Sequence, residues 1–101
     1  MAAIIFDVKR TGITVSLPAV MQVATGGRRE VELRSGTVRQ ALDGLVEAFP
    51  DLLPRLLTER KQIHRFVNVY LDNEDIRFLQ GLDTPVLPGQ QLTILSAIAG
   101  G

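Results

Sequence analysis

The chain has 101 residues, 46% of them apolar and 22% charged, which is the composition of a globular protein and the length of a single domain, 1–101. Its lack of cysteine excludes disulfides, thiolate metal sites and thiol catalysis. Eleven basic residues balance eleven acidic ones and no apolar run approaches the roughly 20 residues of a membrane span, so we expect a cytoplasmic protein that binds neither nucleic acid nor membrane.

The first predicted elements are two strands joined by a glycine-containing connection. Residues 1–11 contain a short apolar stretch, which we interpret as an N-terminal extension, either an edge strand or an ordered arm. Apolar and polar residues alternate over residues 12–17 and again over residues 29–34, the period of a half-buried strand. Gly26 and Gly27 permit a tight reversal between them, which predicts an antiparallel hairpin.

The next predicted element is one amphipathic helix. Thr37 and Gln40 have the spacing of a capping box, and apolar residues then recur at helical intervals along one face. Pro50 ends the pattern, because the residue before a proline disfavours helix. A short helical turn is expected over residues 51–57, followed by a polar and basic loop over residues 58–65.

Strands return in the last third of the chain. Residues 66–71 alternate as a central strand, residues 72–75 form a turn, residues 76–79 a short strand, and residues 91–97 the last strand. Residues 80–90 are expected to be mostly irregular. The order of elements predicts a two-layer α+β domain, in which the crossover rule makes the strand after the helix parallel to one before it. We therefore predict the ubiquitin-like β-grasp fold, a mixed sheet covered on one face by one main helix.

The sequence ends on Gly100-Gly101, shortly after the last predicted strand. We expect residues 98–101 to form a flexible C-terminal tail. Because glycine has no side chain, a terminal Gly-Gly carboxylate can enter a narrow active site of another protein. At most chain ends such a dipeptide is ordinary fraying, but after the last strand of a β-grasp domain it favours a chemical role for Gly101.

Three segments carry a family resemblance: HRFVNVYLDNEDIRF from His64 to Phe78, the strand in LPGQQLTIL, and the terminal AGG. Over residues 12–101 the chain resembles the bacterial sulfur-carrier family, which includes the carriers of thiamine and molybdopterin synthesis (ThiS and MoaD). Within it, the chain is most similar to the CysO-type carriers of cysteine biosynthesis. Residues 1–11 depart from the family pattern.

The resemblance implies a protein co-substrate and not an enzyme. An adenylating enzyme related to the ubiquitin-activating family would use ATP and Mg to activate the Gly101 carboxylate, with Gly100 beside it, and a sulfur donor would convert it to a thiocarboxylate. A cysteine synthase that depends on pyridoxal phosphate would accept the sulfur, and a zinc metalloprotease would remove the added cysteine. The chain itself would bind no cofactor or metal.

Three alternatives stay open. The chain is also compatible with the small subunit of molybdopterin synthase, whose tail lies in the active site of a large subunit. A ubiquitin-like modifier joined through Gly101 to lysines of target proteins is the second. An interaction module with an incidental Gly-Gly is the third.

Candidate docking residues lie near the tail. Leu95 and Phe66 occupy strand positions opposite the core-facing ones, so we expect an outward apolar pair that docks partners together with Ile98 and Ala99. Isolated surface apolar residues are common, which is the alternative explanation.

The remaining polar candidates have ordinary explanations. His64 is expected to be a solvated loop residue, and the basic residues Arg60, Lys61 and Arg65 a solvated face. The carboxylates of residues 72–75 lack the glycine and the bidentate glutamate of a calcium loop, so a solvated turn is expected there.

Overall fold

Seven strands build the part of the chain, residues 12–97, that the computed structural model describes. They are β1 (Gly12–Ser16), β2 (Glu30–Arg34), β3 (Gly36–Thr37), β4 (Val67–Leu71), β5 (Glu74–Asp75), β6 (Pro85–Val86) and β7 (Gln91–Ser96). Five of them form one mixed sheet in the order β2-β1-β7-β4-β5, and β3 pairs with β6 separately. The predicted mixed sheet is confirmed, and the extension over residues 1–11 lies outside the described residues.

The predicted hairpin of β1 and β2 is confirmed. The two strands pair antiparallel, with Gly12 opposite Arg34 at one end. Gly26 and Gly27 have φ values of +69° and +90°, a backbone conformation in which L side chains are strained, and they make the reversal. The connection also contains a short helix, α1 (Ala19–Gln22), which the sequence did not predict.

The strand after the main helix has the predicted direction but a different neighbour. β7 pairs parallel with β1 and antiparallel with β4, so β4 runs in the same direction as β2 without touching it. The last strand occupies the centre of the sheet, and its inward-facing Leu92 and Ile94 are fully buried.

The main helix, α2 (Val38–Ala48), begins at the predicted capping box. The Thr37 hydroxyl accepts from the Gln40 N–H at 3.2 Å, and the Gln40 side-chain oxygen accepts from the Thr37 N–H at 2.9 Å. Ala41 joins the predicted apolar stripe in the core. Helix α3 (Leu53–Leu56) and the 3₁₀ turn before it confirm the predicted short helical turn.

The hydrophobic core lies between the sheet and the helices. Its largest fully buried side chains are Ile13, Val15, Met21, Val38, Leu42, Leu45, Leu52, Leu56, Val69, Val86, Leu92 and Ile94. No helix within residues 12–97 is both long enough and apolar enough to cross a membrane.

The predicted short strand over residues 76–79 is wrong. The short strand is β5, two residues earlier, and Ile76–Phe78 is a 3₁₀ turn. The cause is Asp75, whose carboxylate accepts from the Arg77 backbone N–H at 2.8 Å and so caps the turn.

Candidate partner-docking site

Strand β7 determines where the end of the chain leaves the fold. Ala97, the last described residue, donates its N–H to the Phe66 carbonyl at 2.7 Å, which fixes it beside the start of β4. The predicted tail residues Ile98, Ala99, Gly100 and Gly101 lie outside the described residues. The described chain therefore ends beside the start of β4, at the end of the central strand of the sheet.

Leu95 faces outward near this end of β7, as predicted. Its neighbours in β7, Ile94 and Leu92, are fully buried, and strand alternation puts Leu95 on the opposite face, where it is 45% exposed. Across the sheet it is paired with Asn68 of β4. An exposed leucine in a central strand lies on the surface that the helices leave open.

Phe66 does not share the outward face of Leu95. It lies in the turn just before β4, and its half-buried side chain packs against the hydrophobic core. Its ring stacks on that of His64, with centroids 4.7 Å apart and planes 9° apart. The predicted outward apolar pair of Leu95 and Phe66 is therefore not formed.

Uncharged side chains surround Leu95 on this open side of the sheet. Tyr70 is paired with Thr93, and Thr93 with Ser16, so they form a continuous polar row next to Leu95. We call the surface formed by Asn68, Tyr70, Thr93 and Leu95 the Leu95 face. The charged side chains of this side lie at the sheet margin on β2, where Glu30, Glu32 and Arg34 are exposed.

His64 lies in the loop before β4, as expected, and is held there by specific contacts. Its Nε2 lies 3.1 Å from the Pro54 carbonyl oxygen, and its backbone N–H donates to the Leu56 carbonyl at 3.0 Å. A carbonyl only accepts, so the contact requires the proton on Nε2. His64 thus connects helix α3 to the start of β4 and packs against the ring of Phe66.

The carboxylates of the acidic turn over residues 72–75 hydrogen-bond to neighbouring segments. Asp72 accepts from the Gln91 N–H at 3.2 Å and from the Gln90 side chain at 3.1 Å. The Arg77 guanidinium hydrogen-bonds the carboxylate of Asp75 and, with the Arg77 backbone N–H, holds the pKa of that carboxyl below its usual range. Within residues 12–97 no cluster of side chains has the composition of a metal site.

Comparison with known proteins identifies the family. Residues 15–101 match the ThiS family. The chain belongs to the ThiS family. The sulfur carrier protein CysO of Mycobacterium tuberculosis is 36% identical over 91 residues, which cover 88% of this chain and 98% of the relative. A protein of Archaeoglobus fulgidus, described as a putative sulfur carrier protein, is 27% identical over 89 residues, with the same coverage of both chains.

Solved structures of ThiS-family and ubiquitin-like proteins have the same fold. A chain of the Amycolatopsis orientalis BexX/CysO complex superposes with a TM-score of 0.80 at 42% identity, covering 88% of this chain and 99% of its own. SAMP1 of Haloferax volcanii superposes with a TM-score of 0.77 at 26% identity, covering 89% and 99%. The predicted ubiquitin-like β-grasp fold and the resemblance to the CysO-type carriers are confirmed. These relatives are described as a sulfur carrier protein and a small archaeal modifier protein.

Proposed function

We propose that this ThiS-family chain is a sulfur carrier that bears its sulfur as a thiocarboxylate on Gly101. The observation that carries the proposal is the match to CysO over 98% of that protein's length. In this sequence three residues separate Gly100-Gly101 from the end of β7, and the first of them, Ala97, is fixed beside the start of β4. The role needs a terminal carboxylate and no catalytic side chain of this chain's own.

The proposed loading chemistry takes two steps on a partner enzyme. An adenylating enzyme uses ATP and Mg to join AMP to the Gly101 carboxylate, with release of pyrophosphate. A sulfide equivalent then attacks the acyl carbon and AMP leaves, which gives the thiocarboxylate. Because this chain has no cysteine, no thiol of its own competes for the activated carbonyl.

We propose the Leu95 face as the surface that docks the activating enzyme. Leu95 is the exposed apolar residue on a sheet face that is otherwise uncharged at its centre, so little charge has to be desolvated when a partner covers it. The face adjoins the end of β7, where the Ala97 N–H bonds to the Phe66 carbonyl. Ile98 and Ala99 are proposed to extend the contact into the partner's channel.

Delivery of the sulfur is proposed to follow the CysO type. A cysteine synthase with pyridoxal phosphate makes an aminoacrylate from an activated serine, and the thiocarboxylate sulfur adds to it. The product is a thioester between Gly101 and a new cysteine side chain. The cysteine amine then attacks the same carbonyl and displaces the thiol, an intramolecular step favoured by proximity. A zinc metalloprotease hydrolyses the resulting amide and restores Gly101.

One observation favours a second candidate function. SAMP1, a small archaeal modifier protein, shares 26% identity over nearly its whole length with this chain. A ubiquitin-like modifier uses the same activated Gly101 carboxylate but passes it to a lysine amine of a target protein. The two functions differ in the acceptor, not in the activation.

The experiment separates these acceptors by mass. Thiocarboxylated chain is mixed with a CysO-type cysteine synthase and activated serine, and the product is examined by intact-mass spectrometry with and without hydroxylamine. We expect the chain extended by one cysteine residue and resistant to hydroxylamine, because an amide has replaced the thioester. Return of the unmodified carboxylate, with the chain found on lysines of other proteins, would instead favour the modifier.

A further inference from the structure

The edge of β4 that faces away from β7 is only partly covered. β5 pairs with β4 at Tyr70 and Leu71 and goes no further along it. Within residues 12–97 no strand pairs with this edge at residues 67–69. An uncovered strand edge presents main-chain N–H and C=O groups with which another extended chain can pair.

The backbone of β4 directs hydrogen-bonding groups into this opening. The Ala97 N–H donates to the Phe66 carbonyl at 2.7 Å, and the Asp72 N–H donates to the Gln91 carbonyl at 2.8 Å. Even-numbered residues of β4 therefore bond to β7. In an antiparallel ladder the residues between them point their backbone groups to the opposite side. Val69 thus aims its N–H and C=O at the partly covered edge. The Val67 N–H also points to this side but already bonds to the His64 carbonyl at 2.9 Å.

A groove of about 590 Å³ runs along this edge, and we call it the β4-edge groove. Its lining includes the apolar residues Ile63, Val67, Val69 and Ile76, of which Ile63 is half-buried and the other three belong to the buried core. Binding pockets in proteins usually measure roughly 300–1,000 Å³ and are mostly apolar. The groove is large enough to take the side chains of a short extended segment.

The rim of the β4-edge groove is basic. It is lined by Arg39 of α2, Arg65 before β4 and Arg77 after β5. Arg77 is matched by Asp75 in an ion pair of 2.6 Å, whereas Arg39 and Arg65 have no ion-pair partner within residues 12–97. Asp83 is the other acidic residue of the lining. Since the whole chain has no net charge, this positive excess is local.

We propose that the β4-edge groove binds an acidic, extended segment of a partner protein as an added strand. Main-chain hydrogen bonds to the edge at Val69 supply affinity, while carboxylates of the segment pair with Arg39 and Arg65 and set the preference for acidic sequences. The bound segment lies one strand away from β7, a separation of about 10 Å for two strand spacings. The proposal does not depend on the sulfur chemistry.

The test uses a defined acidic peptide and the full-length chain. The nitrogen-15-labelled chain is titrated with the capped peptide acetyl-Glu-Val-Glu-Val-Glu-amide, and amide shifts are followed by NMR. We expect the largest shift changes at Val67, Val69 and residues 81–83. Arg65→Glu should weaken binding by about fivefold or more, because an attractive charge becomes repulsive. The matched control is Arg29→Glu, an exposed arginine beside β2, which should leave the affinity unchanged.

Two further peptides separate strand pairing from charge attraction. One has alternate backbone amides N-methylated, and the other has lysine in place of glutamate. Each should bind about tenfold more weakly or worse, since it loses the ladder hydrogen bonds or the charge pairing.

Four results would overturn the proposal. They are equal binding of either control peptide, shift changes centred on the Leu95 face or on β2, no binding of the acidic peptide, and shifts of the same resonances on dilution without peptide. The last result would assign the groove to a second copy of the chain.

Discussion

Asp75 is a buried carboxylate that forms an ion pair with Arg77, two residues further along the chain. The Arg77 guanidinium donates to both carboxylate oxygens at 2.6–3.1 Å. These side-chain hydrogen bonds, with that from the Arg77 backbone N–H, lower the pKa of Asp75 against the opposing effect of burial. The pair closes the turn after β5 and so fixes one wall of the β4-edge groove.

The Asp75 pair makes stability depend on pH in acid. The pKa is lower in the folded chain than in the unfolded one, so the stabilisation is complete above the unfolded value of about 3.9 and is lost as the pH falls from there through the folded pKa. The free energy of unfolding of Asp75→Asn should therefore fall below that of the wild type at pH 7 and approach it at about pH 3. Urea unfolding at both pH values measures this. A difference that stays the same at both would contradict the assignment, and Arg77→Gln should repeat the trend.

Leu95 is predicted to matter for docking and not for folding. Leu95→Ser should change the free energy of unfolding by less than about 0.5 kcal/mol, as is usual at exposed sites. It should lower kcat/KM for adenylation by about tenfold. Such a change corresponds to a loss of a little over 1 kcal/mol of binding free energy, which is common when a docking residue is truncated. Val23→Ser, at a residue 79% exposed on the connection between β1 and β2, is the matched control and should leave kcat/KM unchanged. Equal effects of the two substitutions would show that the Leu95 face is not the docking surface.

Side-chain placement was predictable where it follows from strand alternation alone. The period of two in the last strand was enough to orient Leu95 outward and Ile94 inward. The contacts of His64 were not predictable, because its partners are the carbonyls of Pro54 and Leu56, eight to ten residues back. Backbone carbonyls carry no sequence signal, so only the folded chain shows that His64 is fixed.

At the scale of elements, helix α2 owes its position to local and to tertiary contacts. The capping box at Thr37 and Gln40 satisfies two N–H groups at its first turn. The Val38 N–H is satisfied from outside the helix, by the Thr84 carbonyl at 2.9 Å. The apolar face then covers the sheet through Leu42 and Leu45, both fully buried.

Truncation of a core leucine in α2 should be costly. Leu45→Ala is expected to lower the free energy of unfolding by about 2–5 kcal/mol, because it removes buried methyl groups and leaves a cavity. Asp43→Ala, on the exposed side of the same helix, is the control for helix propensity. Chemical denaturation of both variants provides the measurement. A loss of less than about 0.5 kcal/mol for Leu45→Ala would mean that this helix face is not in the core.

Long elements were predictable from the sequence and short ones were not. Helix α2 spans enough residues to display its period, and strands β1, β2, β4 and β7 alternate clearly. The two-residue strands β3 and β6 are too short to show any period. They exist because Gly36 pairs with Val86 and Thr37 with Pro85, which are about fifty residues away in the chain.

At the scale of the molecule, the central position of β7 explains how the chain presents its end. Because β7 lies between β1 and β4, the last described residue, Ala97, is anchored at the middle of the sheet. The Leu95 face lies on the open side of that strand, and the β4-edge groove lies beyond the next strand. A partner that holds the tail has both surfaces within reach.

The fold class was predictable, whereas the neighbours in the sheet were only partly so. The order of elements and the direction rule gave the correct class and the correct direction of β4. The rule did not predict that β7 would lie between β1 and β4. The pairing of β7 with β1 joins the first and the last strand of the described chain, which are far apart in the sequence. The sequence also does not predict that the Ala97 N–H bonds to the Phe66 carbonyl, because a contact between backbone groups leaves no residue pattern.

The most direct test of the sulfur-carrier proposal is the intact mass of the full-length chain after incubation with an adenylating enzyme of the CysO type, ATP, Mg and a sulfide source. We predict a mass increase equal to the exchange of one oxygen for sulfur. The increase should be absent from a variant that lacks Gly101 and from one with an alanine added after it, while the thermal midpoints of both stay near that of the wild type. Unimpaired sulfur loading of either variant would contradict the assignment of the sulfur to Gly101.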